Sequence, residues 1–244
     1  MYDEQATGGV ARLAAWLGAL SLLALVATGP VHRFGLLRLA GAFAVLKYAV
    51  FGAAATLVLA IIGMILSARR RGRIGTAVTA LVMALLSLGS IGVLGWKASR
   101  VPAIHDVTTD TIQPPLFVAI LPLRAGALNP SDYGGAALAA KQQQAYPEIA
   151  PLLLTLAPDR AFDRALATAR TMGWELAASD PAAGRIEATD TTFWFGFKDD
   201  IVIRVTPQPA GSRVDIRSLS RVGVGDLGAN AARIRAYLAV LKAS

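Results

Sequence analysis

The sequence predicts two parts in one chain: an α-helical membrane bundle of three transmembrane helices, followed by an α+β domain with an antiparallel sheet packed by helices on one face. Three observations predict this. Long apolar segments fill the first 96 residues, short alternating strands and amphipathic helices follow them, and six units of the net charge of +8 fall in the apolar part. The charge therefore indicates membrane topology rather than a basic surface for nucleic acid.

Three segments are apolar and long enough to cross a bilayer, whose hydrocarbon core of about 30 Å requires roughly 20 helical residues. They cover about residues 10–28, 48–66 and 74–96. Residues 34–46 are also apolar, but they contain Arg38 and are short for a further crossing. This stretch fits an interfacial segment, an extension of the second helix or a tilted crossing, and all three interpretations stay open.

Four arginines in the short connection between the second and third segments determine the predicted orientation: Arg69, Arg70, Arg71 and Arg73. Short loops that are rich in Lys and Arg stay on the cytoplasmic side of a membrane. We therefore expect a multi-pass protein of the cytoplasmic (inner) membrane with its N-terminus inside. The chain after the third segment then lies outside the cytoplasm, in the periplasm.

The remainder of the chain divides into residues 99–147, an extended linker with the N-terminal part of the outer domain, and residues 148–244, the α+β domain. Alternation of apolar and polar residues predicts strands at 152–157, 174–179, 185–189, 192–197, 201–206 and 213–220. A helix is predicted over residues 159–172. A second helix follows from the apolar stripe of Leu227, Ala231, Ile234, Leu238 and Leu241.

Charged residues alternate with apolar ones along the last two predicted strands. A regular hairpin places Arg204 near Asp215, and it lets Asp199 or Asp200 reach Arg217 or Arg221. Such residues form either an ion-pair ladder that stabilises the sheet or the floor of an anion-binding site. The sequence leaves both interpretations open.

A second polar group lies at the start of the last predicted helix. Asp226, Asn230 and Arg233 recur at helical spacing, and the loop 218–228, which includes Asp226, contains Ser220, Arg221 and three glycines. A glycine-rich loop lets the backbone approach a partner closely, and a helix N-terminus favours an anion. The alternative is that Asp226 caps the helix and the glycines serve tight turns.

His105 and Asp106 begin a third polar stretch, which also contains Thr109 and Asp110. The chain has no cysteine and two histidines, so we predict no metal site and no cofactor. No nucleophile signature surrounds the serines, so we assign no catalytic residue. The candidate ligand-binding residues are His105, Asp106, Thr109, Asp110, Arg204, Arg217, Ser220, Arg221, Asp226, Asn230 and Arg233.

Three segments resemble the domain of unknown function 1499 family. They are IHDVTTDT at residues 104–111, IEATDTTFWFGFKDDIVIRV at 186–205 and VDIRSLSRVGVGDLGANAARIRAYL at 214–238. The resemblance covers about residues 104–241, and members of this family are often preceded by membrane helices, as here. It implies no reaction, ligand or catalytic residue for this chain.

We expect a membrane-anchored extracytoplasmic module that binds a small molecule, a lipid headgroup or an envelope protein, because its polar groups lack a complete catalytic set. Two alternatives are an envelope hydrolase or transferase that uses His105, and a purely structural subunit of a membrane complex. The expected partners are the lipid bilayer and an envelope protein or lipid, with no nucleic acid. No pattern indicates the oligomeric state.

Overall fold

The computed structural model of the chain describes residues 2–69 and 74–243. It divides into two compact units. The first contains the chain up to Lys97 together with Phe193–Gly196, and the second contains Ala98–Thr192 and the chain from Phe197 onward. Each unit is described by itself.

The first unit contains three long helices: α1 over Tyr2–Arg33, α2 over Leu39–Arg69 and α3 over Gly75–Ala98. All three are long and apolar enough to cross a membrane, which confirms the predicted helical part. Because α2 begins at Leu39, most of residues 34–46 belong to this helix. Residues 39–46 therefore extend the second helix, whether this longer helix crosses the membrane at a tilt or projects from it.

The arginine connection that predicts the membrane orientation is described only at Arg69, the last residue of α2. Arg70, Arg71 and Arg73 lie outside the described residues. The orientation of the helices therefore stays a prediction.

Small residues bring the three helices together. Ala14, Ala60 and Ala80 come from α1, α2 and α3 respectively and form a buried cluster. A Cβ atom on Gly63 would lie 3.4 Å from the Cα atom of Ala11, so α1 and α2 approach closely there. Close packing of small residues is a usual way for helices to associate where lipid surrounds them.

In the described part of the second unit, six strands form one antiparallel sheet in the order β1-β6-β5-β4-β3, and β2 also pairs with β6. The strands are β1 Asp106–Thr108, β2 Leu152–Leu154, β3 Glu175–Asp180, β4 Arg185–Thr191, β5 Lys198–Gln208 and β6 Gly211–Ser220. The α-helices are α4 Gly135–Ala145, α5 Pro158–Thr171 and α6 Ala229–Ala243, and Leu121–Arg124 forms a 3-10 turn. This confirms the predicted α+β fold class.

Helices α5 and α6 pack against one side of the sheet, which we call the helix-covered face. Ile201 of β5 and Ile216 of β6 are fully buried there, in one cluster with Phe162 of α5 and Ile234 of α6. Because neighbouring strand residues point to opposite sides, the predicted alternation placed these isoleucines correctly. This cluster is the main core of the second unit.

The opposite side of the sheet, which we call the loop-covered face, lies beneath residues 109–133. Val202 and Leu219 are buried there in a smaller cluster with Phe117 and Ile120 of the loop. Most of the buried charged side chains of the sheet also lie on this face. The covering loop therefore encloses a small apolar cluster together with a layer of buried charged side chains.

Two predicted elements differ from the structure. Residues 192–197 form the turn between β4 and β5 rather than a strand. The backbone N–H of Thr192 donates to the carbonyl oxygen of Phe197 at 2.8 Å, and Gly196 has a φ of 69°. Leu227 precedes α6, with a φ of 55°, so it does not continue the predicted helical stripe. Local turn geometry, which residue alternation does not reveal, decides both cases.

Candidate functional site

The predicted site residues lie on both faces of the sheet. On the loop-covered face are Asp106, Thr109, Asp110, Arg204, Arg217 and Arg221. On the helix-covered face or beside its edge are His105, Ser220, Asp226, Asn230 and Arg233. The sheet separates the two groups, so they form two networks rather than one site.

Arg217 lies at the centre of the loop-covered face and is fully buried. Its Nε and Nη2 atoms donate to the two carboxylate oxygens of Asp106 at 2.9 and 2.8 Å. Nη2 also donates to the carbonyl oxygen of Ser131 at 2.7 Å, and the guanidinium lies 5.0 Å from the Phe117 ring. Bidentate pairing and stacking hold the guanidinium in one orientation. Arg217 thus ties the covering loop to the sheet.

Tyr133 lies beside this ion pair, with its ring 5.5 Å from the guanidinium of Arg217. Its hydroxyl is buried and has no hydrogen-bond partner among the described residues. Burial raises the pKa of Tyr133 to about 12, and the negative charge of Asp106 adds to the shift. The phenol therefore stays protonated at neutral pH and cannot act there as a base.

A second ion-pair group joins Arg204 and Arg213 to Asp110 and Asp215. Arg204 Nη2 donates to Asp215 at 2.9 Å and to Asp110 at 3.0 Å. Arg213 donates to the same two carboxylates at 3.0 and 2.8 Å. The Thr109 hydroxyl donates to Asp215 at 3.2 Å. Arg204 lies directly opposite Asp215 across β5 and β6, as the sequence predicts.

The pKa of Asp110 lies below its ordinary value. Burial of the carboxyl opposes this shift, but the backbone N–H groups of Gln113 and Ile112 donate to the carboxylate and outweigh it together with Arg213 and Arg204. The two backbone hydrogen bonds measure 2.8 and 3.0 Å. Asp110 is thus a charged anchor for the first turn of the covering loop.

Asp200 forms the third group on this face and is fully buried. Arg221 donates to both of its oxygens at 2.9 and 2.8 Å, and the Thr189 hydroxyl donates at 2.8 Å. The expected contact of Asp200 with Arg221 is thus confirmed, whereas Arg217 binds Asp106 and Asp199 binds Arg233. Arg124 from the covering loop also binds Asp200. The sequence analysis missed Arg124, because no pattern in a proline-rich loop distinguishes it.

Glu187 is a further buried acid that the sequence analysis missed. Its carboxylate accepts the backbone N–H groups of residues 118–120 at 2.9 to 3.1 Å. The available signal was strand alternation, since Arg185, Glu187 and Thr189 share one face of β4. Glu187 pairs across β4 and β5 with Val202, which places it on the loop-covered face.

Arg233 organises the polar group on the helix-covered face. It donates to Asp199 at 2.6 Å, to Asp190 at 2.8 Å, to Asn230 at 2.7 Å and to Ser218 at 3.0 Å. Burial raises the pKa of Asp199, although the charge of Arg233 opposes the shift. These bonds fix α6 to the ends of β4, β5 and β6.

Asn230 links the same group to the edge strand. Its amide nitrogen donates to the Ser220 hydroxyl at 2.9 Å and to the backbone carbonyl of His105 at 3.0 Å. Its amide oxygen accepts the Ser218 hydroxyl at 2.6 Å. Asn230 is fully buried, so these bonds satisfy a side chain that has no access to water.

Asp226 caps the start of α6. Its carboxylate oxygens accept the backbone N–H groups of Gly228 and Asn230, both at 2.7 Å. Of the two interpretations of this loop, capping is therefore the one that the geometry supports. The imidazole Nδ1 of His105 lies 3.2 Å from the carbonyl oxygen of Val224, to which it donates.

Each predicted site residue therefore makes a hydrogen bond or an ion pair within the protein. In the described residues, no group of three or more His, Asp or Glu side chains is arranged to hold a metal ion. Whether the predicted residues also bind a ligand stays a prediction.

A cleft of about 240 Å³ opens on the loop-covered face. It is lined by Pro115, Leu116, Val118, Ala183, Arg185, Val202 and Arg204. The Nε atom of Arg204 is buried and has no hydrogen-bond partner in the described chain. Arg185 Nε lies 2.9 Å from Glu187 Oε1 but also lacks hydrogen-bond geometry. Of the predicted site residues, Arg204 is the one that lines this cleft.

The fold and its two polar networks define a class of protein: an α+β domain on a chain that also carries three helices able to cross a membrane. A family model described as protein of unknown function (DUF1499) matches residues 106–241. Because this match covers more than half of the sequence, the chain belongs to that family, which confirms the resemblance of the three segments. A search of the curated proteins finds no match.

Proposed function

We propose that this chain is a membrane-anchored extracytoplasmic module that binds a small anionic amphiphile in the cleft beside Arg185 and Arg204. The ligand chemistry is a carboxylate or phosphate group attached to a short apolar part. The observation that carries the proposal is the composition of the cleft, in which two guanidinium groups adjoin the apolar side chains of Leu116 and Val118.

Arg204 and Arg185 are the groups of the cleft that would bind an anion. Arg204 and Arg185 both line the cleft, and each has a buried Nε without a hydrogen-bond partner in the described chain. The side chains of Arg204 and Arg185 are 27% and 25% exposed, so a ligand can reach them from solvent. The planar guanidinium matches the oxygens of a carboxylate or phosphate.

The walls of the cleft supply the apolar part. Leu116 and Val118 are exposed apolar side chains on the covering loop, and Val202 forms part of the floor. Exposed apolar surface beside convergent polar groups is typical of ligand sites. A volume of about 240 Å³ suits a small molecule rather than a large lipid.

The binding test uses the full chain in nanodiscs and isothermal titration with octyl phosphate, octanoate and inorganic phosphate. We expect Arg204→Gln to weaken octyl phosphate binding about tenfold or more, as loss of a charged hydrogen bond predicts. The matched control is Arg213→Gln, which disturbs the same two carboxylates but does not line the cleft. Equal loss in both variants, or no binding of any probe, would contradict the proposal.

The three probes distinguish the source of the anion. Tighter binding of octyl phosphate than of inorganic phosphate supports use of the apolar wall, and Leu116→Ser should then reduce the difference. Equal binding of the two indicates a free anion as the ligand. A preference for phosphate or for carboxylate follows from comparing octyl phosphate with octanoate.

We also propose that the second unit lies in the periplasm and that the helices cross the inner membrane with the N-terminus inside. The support is the arginine connection from Arg69 to Arg73 and the positive-inside rule. Alkaline phosphatase fused after Ser244 should be active, whereas a fusion within that connection should be inactive. The opposite pattern would overturn this orientation.

No specific contact favours the alternative of an enzyme that uses His105. The neighbouring carboxylate of Asp106 already accepts two hydrogen bonds from Arg217, and the His105 ring faces a backbone carbonyl. The structural role of the two networks is compatible with ligand binding, because the side chains of Arg204 and Arg185 stay partly exposed while they pair with acids of the sheet.

A further inference from the structure

The turn between β4 and β5 carries an unusual concentration of aromatic side chains. Residues 193–197 read FWFGF, and Phe193 is 91% exposed while Trp194 is 45% exposed. No acidic residue occurs between Asp190 and Asp199, and Lys198 follows the turn. Large apolar side chains gathered on an exposed turn indicate an interaction surface.

The chain itself limits how far this turn can be from a membrane. Helix α3 ends at Ala98 and β1 begins at Asp106, so residues 99–105 connect the last apolar helix to the sheet. Seven residues span at most about 25 Å when fully extended. Asp106 of β1 and Asp200 of β5 both pair with Leu219 of β6, so the turn before β5 lies at the same end of the sheet as this connection.

We propose that the turn at residues 192–197 is an anchor that places Phe193 and Trp194 in the headgroup region of the bilayer that the helices cross. The indole ring of Trp194 favours this region because it has an apolar body and a polar N–H, and the apolar ring of Phe193 favours the boundary with the acyl chains. Two hydrogen bonds between Thr192 and Phe197 already close the base of the turn, so the groups that make them lose no partner in the headgroup region. Lys198 lies 3.9 Å from the carboxylate of Glu175, so this pair leaves no net negative charge beside the turn that would repel anionic lipid.

The occupant of this surface is the lipid bilayer rather than another protein. The absence of acidic side chains in the turn removes the repulsion that anionic lipid would otherwise cause. The proposal is independent of the cleft, since none of the residues lining the cleft belongs to this turn.

The opposite end of β5 supplies an internal control. β5 runs from Lys198 to Gln208, and the exposed Ala210 lies in the next turn. A strand of this length separates the two turns by about 33 Å. The two positions should therefore report different environments in one protein.

The experiment uses the full chain, which contains no native cysteine, so single cysteines can be labelled without background. Phe193→Cys and Ala210→Cys variants carry a nitroxide label in vesicles of phosphatidylethanolamine and phosphatidylglycerol. Power saturation then measures collisions with oxygen, which concentrates in lipid, and with a water-soluble nickel complex. We expect the ratio of oxygen to nickel accessibility to be several-fold higher at position 193 than at 210.

Two results would overturn the proposal. Equal ratios at the two positions place the turn in water, and low accessibility to both reagents at position 193 places it against protein. Should Phe193→Cys prevent folding, Trp194→Cys tests the same turn with the same expected ratio.

Discussion

Arg217→Met removes the cation from a fully buried ion pair while it keeps an unbranched side chain. In the native chain Arg217 donates to both oxygens of Asp106, and the side chains are 0% and 3% exposed. The substitution leaves the Asp106 carboxylate buried without its cation. Breaking a buried pair in this way costs about 3–5 kcal/mol.

The corresponding change in melting temperature can be worked from the size of the domain. For a domain of roughly 150 residues, 1 kcal/mol shifts the unfolding midpoint by about 2–4 °C. We therefore expect Arg217→Met to lower the midpoint by roughly 6–20 °C. Combining it with Asp106→Leu removes the unpaired charge, so the double variant should recover at least half of the loss.

The assay is thermal unfolding of the full chain in detergent, followed by intrinsic fluorescence. Trp174 reports on the second unit, because it is buried and stacks on Tyr237 with ring centroids 5.3 Å apart. The matched control is Arg235→Met, which removes an exposed pair with Glu148 and should cost less than about 1 kcal/mol. An Arg217→Met midpoint within about 2 °C of the native chain would refute the structural role.

Two further predictions concern the same domain. Asp110→Asn should lower the midpoint at neutral pH by the equivalent of about 1–3 kcal/mol. Because the folded pKa of Asp110 is depressed, its stabilisation is lost as the pH falls below its ordinary value of 3.8, so the variant should show a flatter acid dependence. Equal slopes in native chain and variant would contradict this. Gly184→Ala should cost about 1–3 kcal/mol, because Gly184 has a φ of 61° and a Cβ would lie 2.3 Å from the Val205 oxygen. Gly126→Ala, where a Cβ meets nothing within 4 Å, is its control and should leave the midpoint unchanged.

Most of the confirmed predictions rest on the length of apolar segments and on the alternation of apolar and polar residues. The long apolar segments identify three helices, because crossing a hydrocarbon layer requires length and composition that a sequence displays directly. The alternation around Ile201 and Arg204 identifies both faces of the sheet, because side chains of a strand alternate strictly. The same period predicts the pairing of Arg204 with Asp215, since a tight hairpin fixes the register.

The covering loop illustrates what periodicity could not supply. Arg124 binds Asp200, and the carboxylate of Glu187 accepts N–H groups from residues 118–120, nearly 70 positions away in the chain. Neither contact follows from local spacing, because a loop without a repeat can pass over a sheet in many ways. The turn at residues 192–197 was wrongly predicted as a strand because its aromatic residues have high strand propensity.

The sequence by itself determined the three apolar helices, the α+β domain, its two-sided sheet and the family, because each depends on composition, period or order along the chain. Only the tertiary structure decided that the candidate polar residues divide between two faces and bond to one another. It also decided which buried donors, Arg204 Nε among them, have no hydrogen-bond partner in the described chain. Arg204 binds Asp110 and Asp215 through Nη2, and its Nε has no hydrogen-bond partner in the described chain. This arrangement depends on how the covering loop packs on the sheet, which no local sequence pattern reveals.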